Sequence, residues 1–412
     1  MLYRTRIMDE ELRQCLSSTG AVVIEGPKAC GKTATARNLA SSEVLLDVDE
    51  NARQAAAIDP RLVLAGDTPR LIDEWQVEPA IWNHIRRAVD ERGEPGQFIL
   101  TGSAVPADDI TRHTGAGRLT RLRLRPMTLF ELGQSTGTVS LGDLLNGNPP
   151  ACLDPGLSIQ ELVELIAVGG WPGHLRLSLK QALRANRDYL EDIRRVDINR
   201  VDGVRRDPDK VGRLLRSLAR NNGTYASATG MAEDVGGITV QTVLEYLTSL
   251  ERLMITEDQP AWAPHLRSRS RLRSMPKRQF VDPSLAVASL RTSPEGLLKD
   301  MNMLGFLFES LVVRDLRVYA QAVDAQVLQY RDNTGLEVDA VIHCADGRWG
   351  AFETKLATGM VDQGAASLLK FVDRVDTNKC GLPSLLAVIT GTGYGYLRDD
   401  GIAVIPVTAL KK

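Results

Sequence analysis

Cysteine is scarce in this chain of 412 residues, and the five present, Cys15, Cys30, Cys152, Cys344 and Cys380, are scattered and odd in number. That pattern fits neither a disulfide frame nor a zinc cluster, and reduced thiols suit the cytosol. Long apolar runs are missing as well. None approaches the ~18 residues that a bilayer span needs, so no membrane partner is expected. Met1-Leu2-Tyr3-Arg4-Thr5-Arg6 leads into acidic residues rather than the apolar core of a signal peptide, and the expected location is cytoplasmic. Charge of one sign is also lacking: 50 Lys and Arg face 52 Asp and Glu, for a net charge of -2. No global field draws nucleic acid to the chain, so any contact with DNA must come from a local patch. What the chain does have is 43% hydrophobic content, ample for two to four globular cores at this length.

The most specific pattern present is Gly26-Pro27-Lys28-Ala29-Cys30-Gly31-Lys32-Thr33. It follows Ala21-Val22-Val23-Ile24, which reads as a buried strand, and precedes residues 33–40, which read as a helix. Gly26 and Gly31 remove side chains where backbone N–H groups must curl inward around phosphate oxygens. The helix N-terminus adds its partial positive charge. Lys32 is placed to reach the β- and γ-phosphates, and the Thr33 hydroxyl to complete the coordination of Mg²⁺. ATP and Mg²⁺ are therefore the expected ligands. Cys30 reads as a tolerated small residue within the loop.

A second apolar strand, Arg70-Leu71-Ile72, ends in Asp73 and Glu74. Adjacent carboxylates at a strand end offer one to the metal, here Asp73, and one to the attacking water, here Glu74. Phe98-Ile99-Leu100 leads into Thr101-Gly102-Ser103, a third strand ending in hydroxyls that can sense a γ-phosphate. Alternating strand and helix signals up to about Leu132 predict a parallel sheet between helices, and the Gly-, Ser-, Asn- and Pro-rich stretch 133–156 marks a boundary. Ser158 with Glu161 forms a capping box for the next helix, which Gly169-Gly170-Trp171-Pro172 breaks.

Residues 208–262 read as two helices, a Gly236-Gly237 turn, a third helix from Thr239 to Met254 and a short strand pair, a winged-helix-like pattern. The third helix presents Thr239, Gln241, Thr242, Glu245, Ser249 and Glu251 outward, without the basic side chains that phosphate contacts require, so packing against protein is the favoured role. Arg267, Arg269, Arg271, Arg273, Lys277 and Arg278 form a basic patch uninterrupted by acid, which makes DNA a candidate partner. If all six touched phosphates, affinity would fall roughly a thousandfold between 50 and 200 mM salt.

Near the C-terminus, 335–343 and 350–356 alternate as strands around an Asp346-Gly347 hairpin signal. A three-residue loop Ala345-Asp346-Gly347 opposes Asp339 to Glu353, whereas a two-residue turn separates them; the longer loop is predicted. Asp339 and Glu353 then form a candidate Mg²⁺ site, with Lys355 placed to orient a water or stabilise charge on a phosphate. Glu309 lies on a helix from Leu304 to Ala322 among Phe306, Val312, Val313 and Leu316, while Ser310, Arg314 and Arg317 mark its wet side. A carboxylate on an apolar stripe is functional or paired, with Arg331 and Lys355 as candidate partners.

The phosphate loop, the Asp73-Glu74 and Thr101-Gly102-Ser103 strand ends, and Gly117-Arg118 before Arg125-Pro126-Met127 resemble the AAA-type ATPases of bacteria and archaea. That resemblance gives Ser103 the sensor position and makes Arg118 the foremost candidate for a finger supplied to a neighbouring subunit, which implies a homo-oligomer. Glu309, Asp339, Glu353 and Lys355 resemble the metal site of the restriction-endonuclease-like fold. The whole chain resembles a prokaryotic family that joins such an ATPase to a C-terminal domain of unknown function. The expected architecture is α/β: an AAA-type ATPase domain over 1–135, a linker and helical segment over 136–207, a winged-helix-like domain over 208–270, and a restriction-endonuclease-like domain over 271–412. The expected function is an Mg-dependent ATPase whose nucleotide state controls a nuclease-like module acting on or binding DNA. The alternative is a nucleotide-gated switch or DNA-binding regulator with a non-catalytic C-terminal domain.

Overall fold

The structure, a computed structural model, describes residues 3–103, 114–264 and 275–412. Arg267, Arg269, Arg271 and Arg273 lie outside the described residues. The chain divides into two compact units. The first comprises Met1–Pro126, Val196–Arg205 and Thr248–Ile255; the second comprises Met127–Arg195, Arg206–Leu247 and Thr256–Lys412.

The first unit is built on five parallel strands, β1 (Ala21–Glu25), β2 (Ser42–Leu45), β3 (Arg70–Asp73), β4 (Phe98–Gly102) and β5 (Leu119–Arg123), in the order β2-β3-β4-β1-β5. Continuous apolar runs make the central strands, because a parallel sheet is covered on both faces. Val22, Val23, Ile24, Ile99 and Leu100 are accordingly fully buried. Ile72, Phe98, Trp75 and Trp82 pack in one core, with the two indole rings 4.8 Å apart. The insertion of β4 between β1 and β3 brings its terminal hydroxyls between the phosphate loop and the acid-bearing strand. The helix after the loop spans Lys32–Arg37, shorter than the 33–40 expected.

The second unit carries a six-stranded mixed sheet in the order β11-β12-β10-β9-β8-β7, with β7 (Ala325–Arg331), β8 (Glu337–Cys344), β9 (Trp349–Lys355), β10 (Leu385–Thr390), β11 (Tyr396–Leu397) and β12 (Ala403–Pro406). Two further strands, β6 (Val139–Ser140) and β13 (Leu410–Lys411), pair in parallel. Val361, Ala365, Leu368 and Phe371 repeat at helical spacing on Val361–Arg374 and bury against Val341, Trp349 and Ala351 of the sheet. The β8–β9 hairpin turns through Ala345-Asp346-Gly347, with Gly347 at φ 92 and Cys344 N donating to Arg348 O at 2.8 Å. Pairs Ala340↔Phe352 through His343↔Trp349 set the register, and continuing it by one residue opposes Asp339 to Glu353, as the longer loop predicts.

Helices Ile159–Val168, Leu179–Asp192, Pro208–Arg220, Ala228–Val235 and Pro283–Leu290 belong to the same unit as this sheet, the first opened by the Ser158–Glu161 capping box. The helix expected over 239–254 spans Val240–Arg252. The strand pair expected after it is reduced to isolated antiparallel bridges, Thr256↔Phe280 and Gln259↔Lys277. Ser249, expected outward, is buried.

Two sequence features find a structural explanation together. At Gly170 an added Cβ would lie 2.2 Å from Met127 O, and at Gly169 it would lie 2.3 Å from Ser284 Oγ, so both positions need glycine for close approach. Gly170 N donates to Asp282 Oδ2 at 2.9 Å, and the Trp171 indole donates to Ser284 Oγ at 3.0 Å. Arg314 spans Asp282 and Asp315 at 2.8 and 2.7 Å, with all three side chains buried. This corrects the expected wet face of the helix Met301–Gln321: Ser310, Arg314 and Arg317 are all buried, and Arg314 is held there by its two acids.

Candidate nucleotide-binding site

The phosphate loop curls between β1 and the helix that starts at Lys32. An added Cβ at Gly26 would lie 2.2 Å from Leu124 O, Gly31 adopts φ 105, and even Ala29 sits at φ 62. Left-handed positions of this kind are what a loop needs to turn its backbone N–H groups toward a phosphate. Cys30 is fully buried with Sγ 3.5 Å from Leu124 O, which makes it a packing residue. Lys32 Nζ donates to Gly26 O at 2.9 Å and Pro27 O at 3.0 Å, so the ammonium is held by neutral carbonyls of its own loop.

Thr33 Oγ1 donates to Asp73 Oδ1 at 2.8 Å, and the Thr101 hydroxyl donates to the same oxygen. A hydroxyl and a carboxylate oxygen in contact at the end of a phosphate loop are hard donors, the kind Mg²⁺ takes alongside phosphate and water. The residues present fit that ion. Glu74 leaves β3 in a left-handed conformation, φ 52 and ψ 47, which costs a non-glycine residue about 1–3 kcal/mol. Its carboxylate accepts from Ser103 Oγ at 3.2 Å and from the Gln76 side-chain amide, while its backbone N donates to Thr101 Oγ1 at 3.3 Å. The candidate base and the candidate sensor thus touch.

Lys28, Lys32, Thr33, Glu74 and Ser103 line one cleft of about 780 Å³, large enough for a nucleoside triphosphate. Several lining residues escaped the sequence, among them Gln76, Asp197 and Arg200. Gln76 lies on the 3-10 turn Trp75–Val77, two residues past Glu74, a place where the pattern gave no signal. Asp197 is nearly buried and pairs with Lys28 Nζ at 2.6 Å across a separation of 169 residues. Arg118 stands elsewhere, paired with Asp90 at 2.8 Å and absent from the lining of this cleft.

The C-terminal acids occupy the second unit and meet a partner that the sequence had assigned to a basic patch. Lys277 Nζ donates to Glu309 Oε1 at 2.7 Å and lies 3.5 Å from Asp339 Oδ1, with its side chain 3% exposed. This corrects the expected Glu309 partner, since Arg331 pairs instead with Glu337 at 3.2 Å. Asp339 Oδ2 accepts from Thr354 N at 2.8 Å and Thr354 Oγ1 at 2.9 Å, and Lys355 Nζ donates to Glu353 Oε2 at 2.8 Å. Burial pushes the Glu353 and Glu309 carboxyls up, with nearby Asp339 adding to both, while Lys355 and Lys277 pull them back down. Burial would raise Asp339 as well, but Lys277, Lys355 and the Thr354 hydrogen bonds outweigh it and hold its pKa low. Among the described residues, no group of three or more His, Cys, Asp or Glu is arranged to hold a metal ion. Lys277 and Lys355 engage carboxylate oxygens that the expected Mg²⁺ site would offer. The same finding removes Lys277 from the proposed phosphate-binding patch, and Arg278 is paired with Asp258.

Residues 18–133 match the AAA domain family, 159–296 a domain of unknown function (DUF8612), and 304–410 another domain of unknown function (DUF4143). With the parallel sheet and the phosphate loop, the first match supports an AAA-type P-loop ATPase domain in the first unit. The restriction-endonuclease-like core expected in the last segment gains no support from its match. Uncharacterized proteins of Mycobacterium bovis and Mycobacterium tuberculosis are each 25% identical over 409 residues, covering 98% of this chain and 84% of theirs. Among solved structures, the Walker-type ATPase of Pyrococcus abyssi has 14% identity and a TM-score of 0.41, covering 68% of this chain and 94% of its own. A signal transduction ATPase with a tetratricopeptide repeat sensor from Pyrococcus horikoshii has 14% identity and a TM-score of 0.21, covering 78% of this chain and 49% of its own. Among the described residues no helix is long and apolar enough to cross a membrane.

Proposed function

We propose that the first unit binds Mg-ATP and hydrolyses it, and that the nucleotide state governs a C-terminal domain that binds a partner without cutting nucleic acid. The observation that carries the reading is the convergence of Lys32, Thr33, Asp73, Glu74 and Ser103 at one end of a parallel sheet. Mg²⁺, when bound, neutralises charge developing on the phosphates. The chain's own residues do the rest. The loop N–H groups and Lys32 hold the β- and γ-phosphates, and Thr33 and Asp73 hold the ion. Glu74 accepts a proton from the attacking water, while Ser103 and Gln76 keep its carboxylate oriented.

The non-cutting reading of the C-terminal domain rests on the ammonium groups of Lys277 and Lys355, which already satisfy the acids a nuclease would use. ATP turnover of the purified full chain, measured alone and with single-stranded DNA, double-stranded DNA or RNA, tests the whole proposal. Turnover lost in Lys32→Ala supports the ATPase, whereas turnover equal to the wild type refutes it. Stimulation by one nucleic acid would name the ligand class, and magnesium-dependent cutting lost in Asp339→Ala would overturn the non-cutting reading.

A further inference from the structure

Three carboxylates, Glu309 from helix Met301–Gln321, Asp339 from β8 and Glu353 from β9, gather in the second unit with two ammonium groups; Glu309, Glu353 and Lys277 are buried, and Asp339 and Lys355 keep a small exposed fraction. Buried acids at this spacing need a cation, because unpaired charge in a low-dielectric interior is strongly unfavourable. A divalent ion is one answer. An internal ammonium is another, and the two are mutually exclusive in so small a space, since both need the same oxygens and repel each other.

We infer that Lys277 is the resident cation of this cluster, standing where a divalent metal would otherwise bind, so that Asp339, Glu353 and Glu309 take no Mg²⁺ in the native protein. Its ammonium reaches Glu309 at 2.7 Å and Asp339 at 3.5 Å, thereby joining the helix to β8. The second oxygen of Asp339 is taken by Thr354, and Glu353 is taken by Lys355.

Lys277 is also fixed at its backbone. Its N–H donates to Gln259 O at 3.1 Å and its carbonyl accepts from Gln259 N at 2.9 Å. The Gln259 side-chain amide in turn donates to Asp339 O at 2.8 Å and Leu328 O at 3.0 Å, which ties this pairing to the acid-bearing strand. The Tyr225 ring lies 5.8 Å from the ammonium, adding its π-face to the cage. A lysine held at both ends in this way is not a mobile surface cation that a metal would displace. Mg²⁺ further demands near-octahedral oxygens and retains waters, and the oxygens it would need here are engaged by two ammonium groups and by Thr354.

The inference deepens the reading of the C-terminal domain as non-cutting, and omitting nucleotide keeps its failure distinct from any failure of ATP binding. Binding of Mn²⁺ to the full chain is measured by electron paramagnetic resonance, with the thermal midpoint followed in parallel. The expected result is that wild type and Asp339→Asn take up Mn²⁺ equally and show the same small midpoint shift. Lys277→Met, which leaves the acids short of one positive charge, should gain a single site at least ~10-fold tighter than the background, and Mn²⁺ should raise its midpoint. Lys277→Met combined with Asp339→Asn should lose both gains. Lys277→Gln serves in the same role if the methionine variant does not fold. A wild-type site that Asp339→Asn removes would overturn the inference, as would a folded Lys277 variant that gains none.

Discussion

The phosphate loop and the C-terminal acid cluster use the same residue types in opposite ways. In the loop, Lys32 is held by two carbonyls and Asp73 by two hydroxyls, so each charge is oriented by neutral dipoles. In the cluster, Lys277 is held by Glu309 and Asp339, and Lys355 by Glu353, so charge is matched by charge. A charge held by neutral dipoles can be redirected to a ligand at the cost of a few exchangeable hydrogen bonds, each worth about 1 kcal/mol net. A charge matched in a dry interior cannot leave without stranding its partner, at a cost of about 3–5 kcal/mol. Site chemistry therefore cannot be read from residue types alone, because what already holds each charge decides whether it is available.

The largest effect should fall on turnover at the first site. Glu74→Gln keeps the size and hydrogen bonding of the side chain but removes the proton acceptor, and phosphate release should drop roughly 10²–10⁴-fold. Equilibrium binding of ATP should change little, because Lys32, Thr33 and Asp73 remain. A variant with unaltered turnover would mean that Glu74 is not the base, and the neutral-dipole pattern around it would lose its functional meaning.

A pair of isosteric changes tests the comparison directly through stability. Lys277→Met leaves two buried carboxylates without their shared cation and should destabilise the protein by about 3–5 kcal/mol in a denaturant transition. Lys32→Met removes hydrogen bonds to carbonyls that the loop can partly satisfy otherwise, and about 1 kcal/mol or less is expected. Similar losses in the two variants would erase the distinction between redirectable and matched charge.

How much of this was legible in the sequence follows from how far apart the partners lie. The phosphate loop was legible because its chemistry occupies eight contiguous residues with a strand before and a helix after. The hairpin loop was legible because Asp346-Gly347 and the two alternating strands fix the register locally. Lys277 was misassigned because its neighbours in sequence are basic, while its real neighbours are 32 and 62 positions away. Arg314 was placed on a wet face by helical periodicity alone, and its burial depends on Asp282, a residue outside the helix. Asp197 gave no signal at all, since nothing near it in the chain resembles a nucleotide site. Local patterns report what a segment can do, and the distant counter-charge reports what it is free to do.

The smallest expected effect concerns a charge pair within the first region, where Lys28 and Asp197 form an ion pair at the cleft. Lys28 is 45% exposed, so the pair should contribute less than about 1 kcal/mol to stability. Its influence on ligand affinity should show a sign, however. Asp197→Asn removes a negative charge that faces the approaching triphosphate, and ATP should bind up to about fivefold tighter. Lys28→Ala leaves that carboxylate uncompensated beside the phosphates, and ATP should bind more weakly by a similar factor. Both shifts should shrink as salt is raised, since exposed charges are screened over about 8 Å at physiological ionic strength. Isothermal titration with ATP at two salt concentrations checks this. Shifts in the same direction for both variants would show that the pair acts by shaping the loop rather than by its charge.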